Sequence, residues 1–257
     1  MNFDVAVIVP IYSAEFTANE KKNLINNLQI LNDRQFIIIK PQSLKIDLND
    51  FLPGFTKQKN IEVSDFDDNY FASVDGYNKL LLSKMFYQRF IQYKYILICQ
   101  LDAFIFKNDL HKWVKKDYDY IGAPWTDEEE AAFLKMTRSG RIGIALKTAA
   151  YLNKIFFGKQ DYRIGNGGLS LRNVKKSISV LGILSAYAKK WKENEDIFWA
   201  VLVPQALYFF KIPNMKDALG FAFETEPEEL YNLNNNRLPF GCHAYEKYSP
   251  DFWSQFI

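Results

Sequence analysis

The sequence predicts an α/β fold, with a mostly parallel central sheet flanked by helices. Three observations carry this expectation. Val5–Val9, Phe36–Ile39 and Tyr95–Cys99 are unbroken apolar runs of strand length, as strands buried on both faces require. Stretches with helical apolar spacing separate them. The first and third runs also lead straight into polar chemistry. One stops at Pro10-Ile11-Tyr12-Ser13, and the other passes into Gln100-Leu101-Asp102-Ala103. Ligands of open α/β sheets collect beyond the carboxyl ends of strands. A carboxylate there needs a cation or a donor to face it.

The first helix is expected over Ala18–Leu31, where Leu24, Leu28 and Leu31 share a face. Ile61–Val63 gives a short strand. The acidic Ser64–Asn69 that follows reads as an exposed loop or helix cap, although Asp65-x-Asp67 has the spacing of a paired-carboxylate metal site. Gly76–Ile91 reads as one helix feeding the central strand, with Tyr77, Leu81 and Met85 on one row and Leu82, Phe86 and Phe90 on the next. Asp109 can cap a helix through Trp113. Tyr118–Ala123 reads as a brief strand halted by Pro124, which throws Trp125 into a loop. Residues 126–141 are polar and read as a surface excursion or lid. Ile164–Arg172 is the most glycine-dense stretch, suited to close approach of a ligand to the main chain. Residues 174–191 read as a helix, and Asn194-Glu195-Asp196 opens an apolar segment that ends at Pro204. Pro239-Phe240-Gly241-Cys242-His243 places a histidine after a tight turn.

Composition removes several functional classes. Of 257 residues, 32 are Lys or Arg and 30 are Asp or Glu, a net charge of +2, so no nucleic-acid partner is expected. Lysines gather at Lys112–Lys116, Lys175–Lys176 and Lys189–Lys192. These read as solvated helix faces, with peripheral contact to anionic lipid as the alternative. Cys99 and Cys242 are too few for a disulfide framework and are expected to pack as small apolar groups. The N-terminal residues lack a signal-peptide pattern, and no apolar run is long enough for a transmembrane segment. The expected location is therefore the cytoplasm, with association to the cytoplasmic face of a membrane left open. There is no phosphate-binding Gly-Lys-Ser/Thr loop, dinucleotide fingerprint, Cys-x-x-Cys pair or nucleophile elbow.

What remains suits a metal-bound diphosphate. Phosphate oxygens and water fill most of such a cation's shell, so one carboxylate and one histidine suffice. Asp102 and His243 are the candidate pair; a turn cap and a buried, hydrogen-bonded imidazole are the plainer readings. Glycosyl transfer without a covalent intermediate needs a general base. Glu195 and Asp196 are candidates, although acids also favour the first turn of any helix.

Six strings then occur in one order: Tyr77–Ser83, Gln100–Ala103, Tyr118–Trp125, Gly165–Arg172, Glu195–Trp199 and Pro239–His243. Together they resemble glycosyltransferases of the GT-A fold, and above all a mostly bacterial family of them. The resemblance runs from about residue 75 almost to the end; residues 1–74 match only in general form. It implies a single GT-A-like domain over 1–257, with a nucleotide-binding half over 1–106 and an acceptor-binding half over 107–257. It implies a divalent cation, Mn2+ or Mg2+, held by Asp102 and His243. The family's Asp-x-Asp is Gln100-Leu101-Asp102 here, one negative charge fewer. Pro10, Ile11 and Tyr12 would cradle the base of a nucleotide-diphosphate sugar, and Asn78, Ser83, Lys84 and Gln100 would face the nucleotide. Asn166, Gly167 and Gly168 would shape the acceptor site, with Trp125 as a stacking platform for a sugar ring. Asp196 would be the base of an inverting reaction, supported by Glu195. The acceptor would be a glycan or glycolipid in surface-polysaccharide biosynthesis. Two alternatives stay open. One is a catalytically inactive sugar- or nucleotide-binding module of the same fold. The other is a sugar nucleotidyltransferase, which would want a basic phosphate-gripping loop near the N-terminus, where residues 10–20 carry only Glu15 and Glu20 as charges.

Overall fold

The computed structural model of the chain describes residues 4–47, 61–125 and 164–257. The 126–141 excursion expected from sequence lies outside the described residues.

The first half alternates strand and helix. β1 (Val5–Pro10) leads to α1 (Ala18–Ile30), then β2 (Gln35–Pro41) and β3 (Ile61–Phe66). Thr17 starts α1 with a reciprocal cap: its side chain accepts from the Glu20 amide while Glu20 accepts from the Thr17 amide. Next come α2 (Val74–Leu81), α3 (Lys84–Arg89) and β4 (Tyr95–Cys99). β3, β2, β1 and β4 lie side by side in that order, all parallel.

The apolar runs need both faces covered, and both are. Val5, Val7 and Val9 point into a core with Leu24 and Leu28 of α1. Ala6 and Ile8 point the other way, into a second core with Leu80 of α2 and Phe86 of α3. This period-two division explains why β1 has no polar residue to spare.

β5 (Ala103–Ile105) leaves the central sheet directly after Asp102. α4 (Leu110–Lys116) and β6 (Tyr120–Ile121) follow. β7 (Leu169–Asn173) runs antiparallel to β4 and β6 and completes a six-stranded sheet. Beyond it come α5 (Val174–Ile183), α6 (Ser185–Lys190), the short α7 (Glu195–Ile197), a buried π-helical turn at Phe198–Leu202, and α8 (Val203–Ala206). α9 (Met215–Phe221), β8 (Ala222–Phe223), α10 (Pro227–Leu233), β9 (Gly241–His243) and α11 (Pro250–Trp253) close the chain. β9 sits between β5 and β8 in a small second sheet.

Four expectations need correction. The helix expected over Gly76–Ile91 is two helices, broken where Ser83 caps α3: its Oγ accepts from the Phe86 amide at 3.2 Å and donates to the Leu80 carbonyl at 2.7 Å. The helix expected over 174–191 also breaks, at Leu184. β3 extends three residues further than Ile61–Val63, and both acids of Asp65-x-Asp67 have structural partners. Asp65 pairs with Lys40 at 2.8 Å, and Asp67 accepts from the Asn69 amide at 2.9 Å. His243 ends a strand rather than following a turn.

Candidate active site

A cleft of about 600 Å³ opens beyond the carboxyl ends of β1 and β4. Tyr12 and Gln100, the residues just past those strands, line it together with Asn78, Asn166, Asp196 and His243.

The Asp102–His243 pair is built by strand register. Ala103 of β5 lies opposite His243 of β9, and the Ala244 amide donates to the Asp102 carbonyl at 3.1 Å. His243 Nε2 stands 3.1 Å from Asp102 Oδ1 and 3.1 Å from Gln100 Oε1. Its Nδ1 lies 2.9 Å from Glu224 Oε1. Burial alone would push the His243 pKa down; hydrogen bonds to Asp102 and Glu224 outweigh it and raise the value to about 10. Burial would likewise raise Asp102, but His243 holds it below the usual carboxylate range. The Asp102 side chain is 43% exposed, so one of its faces is open to a ligand.

The glycine loop locks onto this pair. The Gly168 carbonyl accepts from the Gln100 amide at 2.9 Å, and a Cβ on Gly168 would fall on the His243 ring. Asn166 takes a positive φ of 70° so that its Oδ1 can accept from the Gly168 and Leu169 amides, at 2.7 and 3.2 Å. Its Nδ2 is buried with no partner among the described residues.

Asp196 comes from α7. Burial, then Glu195, then Glu224 raise its pKa to about 7. Its Oδ1 accepts from the Ile197 amide at 2.8 Å. The Glu195 amide donates to Asn78 Oδ1 at 3.2 Å, so Asn78 ties α2 to the turn that carries Asp196.

Tyr12, Asn78, Gln100, Asn166, Gly167, Gly168, Glu195, Asp196 and His243 therefore share one cleft, with Asp102 against His243. Five other sequence candidates do not line it. Pro10 and Ile11 are buried, and the Ile11 amide continues the ladder to the Ile39 carbonyl. Ser83 is spent on capping α3, and Lys84 is exposed outside the cleft. Trp125 is only 4% exposed, with Gly165 directly against its ring, so it packs instead of offering a sugar an open face. Sequence reading missed Glu224, Tyr77 and Lys247, which line the cleft. Nothing local signals Glu224, an acid just past a two-residue strand.

A family model described as "Protein of unknown function (DUF5672)" matches residues 60–243. The chain belongs to that family. No curated protein matches it in sequence. Solved structures do match in fold. Mouse xyloside xylosyltransferase 1 is 12% identical with a TM-score of 0.52, over 94% of this chain and 97% of that one. An active-site mutant of LgtC is 14% identical with a TM-score of 0.50, over 95% and 87%. The bifunctional glycosyltransferase WbbM is 13% identical with a TM-score of 0.52, over 97% of this chain and 47% of that one. This member of the DUF5672 family has the fold of GT-A glycosyltransferases. Among its described residues, no helix is long and apolar enough to cross a membrane.

Proposed function

We propose that the protein transfers a sugar from a nucleotide-diphosphate donor to a hydroxyl of a glycan or glycolipid, with inversion at the anomeric carbon. One observation supports this above others. A carboxyl with a pKa near 7, Asp196, shares a cleft with His243, whose ring is paired with Asp102 just past a strand end. A base is most effective when its pKa lies near the working pH.

Asp196 takes the proton of the acceptor hydroxyl. The acceptor oxygen bonds to the anomeric carbon as the bond to the diphosphate oxygen breaks, and attack from the opposite face inverts the centre. Lys247 at the cleft wall offers a positive charge to the departing diphosphate.

The residues fit a divalent cation, Mn2+ or Mg2+. Asp102 Oδ1, His243 Nε2 and Gln100 Oε1 converge, and Glu224 holds the far ring nitrogen as an outer-shell carboxylate holds a metal-bound histidine. Among the described residues, no cluster of three or more His, Cys, Asp or Glu could hold a metal ion. That suits an ion whose remaining ligands are phosphate and water. Such a cation, when bound, neutralises charge on the leaving diphosphate. The reading extends to a place in surface-polysaccharide assembly on the cytoplasmic side.

A thermal-shift screen of nucleotide sugars with Mn2+, followed by NMR of the anomeric signals, tests this. One nucleotide sugar is expected to raise Tm and to be turned over. Failure of every nucleotide sugar in both assays overturns the reading. A second reading, a non-catalytic binder, draws support from Gln100, which removes one charge from the cation site. It is established instead if a sugar nucleotide raises Tm but is neither transferred nor hydrolysed.

A further inference from the structure

Arg172 of β7 is 1% exposed, and each of its five N–H groups has an acceptor. Nε donates to Ser170 Oγ at 3.0 Å. Nη1 donates to Tyr87 Oη at 3.1 Å and to Glu195 Oε2 at 2.7 Å. Nη2 donates to Glu195 Oε1 at 2.7 Å and to the Gly167 carbonyl at 3.5 Å. The Tyr120 ring lies 5.4 Å from the guanidinium carbon. One side chain thus joins α3, β6, β7, the glycine loop and α7.

Glu195, which the sequence places beside the base as a second acid, is 3% exposed and has both oxygens forked by Arg172. Its carboxylate is thus engaged in holding the guanidinium. Its Oε1 lies 2.5 Å from where a Cβ on Gly167 would stand, so the loop rests directly on the carboxylate. Asn78 holds the same residue's amide from the opposite side. Between these two restraints the next residue, Asp196, is left at the cleft.

We propose that Arg172 and Glu195 are positioning residues: a buried, charge-neutral strut that fixes the Asp196 carboxyl against the glycine loop, with Glu195 carrying no proton in the reaction. The inference rests on the glycosyl-transfer reading only in naming Asp196 the base. The charged and titratable groups around Asp196 are Glu195 on its own turn, Arg172 on β7, Tyr120 on β6 and Glu224 after β8, with His243 and Lys247 in the same cleft.

Two variants test it. Arg172→Lys keeps the charge and loses the fork; Glu195→Gln keeps the shape and leaves the Arg172 charge uncancelled. Both are expected to bind nucleoside diphosphate within about threefold of the unmodified protein, while kcat falls on the order of 100-fold through misplacement of the base. In Arg172→Lys, amide exchange of residues 165–168 is expected to quicken by about tenfold or more as local opening becomes easier. In Glu195→Gln, the Asp196 carboxyl followed by 13C NMR is expected to titrate roughly one pH unit lower or more, because a neighbouring negative charge has gone. Unchanged turnover in both variants, or loop exchange and Asp196 titration that both stay put, overturns the strut. If the single variants do not fold, the double variant Arg172→Met with Glu195→Met removes both charges together and leaves neither stranded. Fast loop exchange in that folded protein supports the strut, and native-like exchange overturns it. Exchange and NMR need no turnover, so they decide the strut even if no nucleotide sugar is a substrate.

Discussion

Glu224 Oε1 lies 2.9 Å from His243 Nδ1, and that single contact determines which ring nitrogen faces Asp102. The carboxylate can only accept, so Nδ1 carries a hydrogen. Nε2 is then the atom turned to Asp102 Oδ1 and Gln100 Oε1. In the cation-free protein Nε2 is also protonated, because both carboxylates hold the ring charged up to a pH of about 10.

A divalent cation must therefore displace a proton from Nε2. Its affinity is expected to rise with pH between 7 and 9, by up to about tenfold per unit, with about one proton released per ion. Calorimetric titration of Mn2+ in two buffers of different ionisation heat measures both quantities. Affinity that is flat with pH, with no proton released, would remove His243 from the cation site.

Glu224→Gln should weaken the cation without touching a ligand. The amide no longer fixes the ring's orientation or strengthens Nε2 as a ligand, and loss of such an outer-shell partner costs about 10- to 100-fold in affinity, offset in part at neutral pH because the proton on Nε2 is then displaced more easily. The His243 pKa should fall in the same variant, as followed by NMR of its ring protons. An unaltered Mn2+ affinity would make Glu224 a bystander.

Asp196→Asn is expected to abolish transfer and leave nucleoside diphosphate binding intact. Loss of binding in step with turnover would contradict the base assignment. Transfer by the unmodified protein should rise as pH rises through about 7, where the carboxyl ionises. Stability follows the opposite course. The folded pKa lies above the unfolded one, so the stability linked to this group is fully present below about pH 4 and is lost as pH rises through 7. At pH 8 the native protein carries a strained carboxylate that Asn lacks. Asp196→Asn should therefore melt higher than the unmodified protein at pH 8, by a margin that shrinks at pH 5.

Gly168→Ala places a methyl on the His243 ring. The ring must leave Asp102 or the loop must lift from Gln100. Overpacking of this kind costs about 1–3 kcal/mol of stability, and Mn2+ affinity should drop with it. Full Mn2+ binding in a protein of native Tm would show that the loop yields freely.

Legibility from sequence followed burial. β1, β4 and the Phe36–Ile39 centre of β2 were readable because strands covered on both sides have apolar side chains there. The break before α3 was not, because Leu82, Phe86 and Phe90 keep helical spacing across it and only the Ser83 cap marks the boundary. β8 and β9, two and three residues long, carry no periodicity to detect. Yet they place Glu224 and His243, so His243 could be named from the sequence while the strand that holds it and its Glu224 partner depended on tertiary contact. Asp196 and Asp102 were legible as acids at element ends. Trp125 misled because an aromatic in a glycine- and proline-rich loop has the same sequence signature whether it faces a sugar or fills a void; here it fills one. Arg172 lay in plain view, but its role needs Tyr87 and Glu195, 85 and 23 residues away.

The β5–β9 ladder sets the spacing of Asp102 and His243 by hydrogen-bond register rather than by loop flexibility. A shift of one rung would turn His243 to the opposite side of the ribbon and bring Cys242 or Ala244 into its place. Neither supplies an imidazole. Misthreading of this three-residue ladder would thus yield a protein of near-native shape without the Asp102–His243 pair, so folding accuracy at the ribbon and competence at the cleft cannot be selected apart.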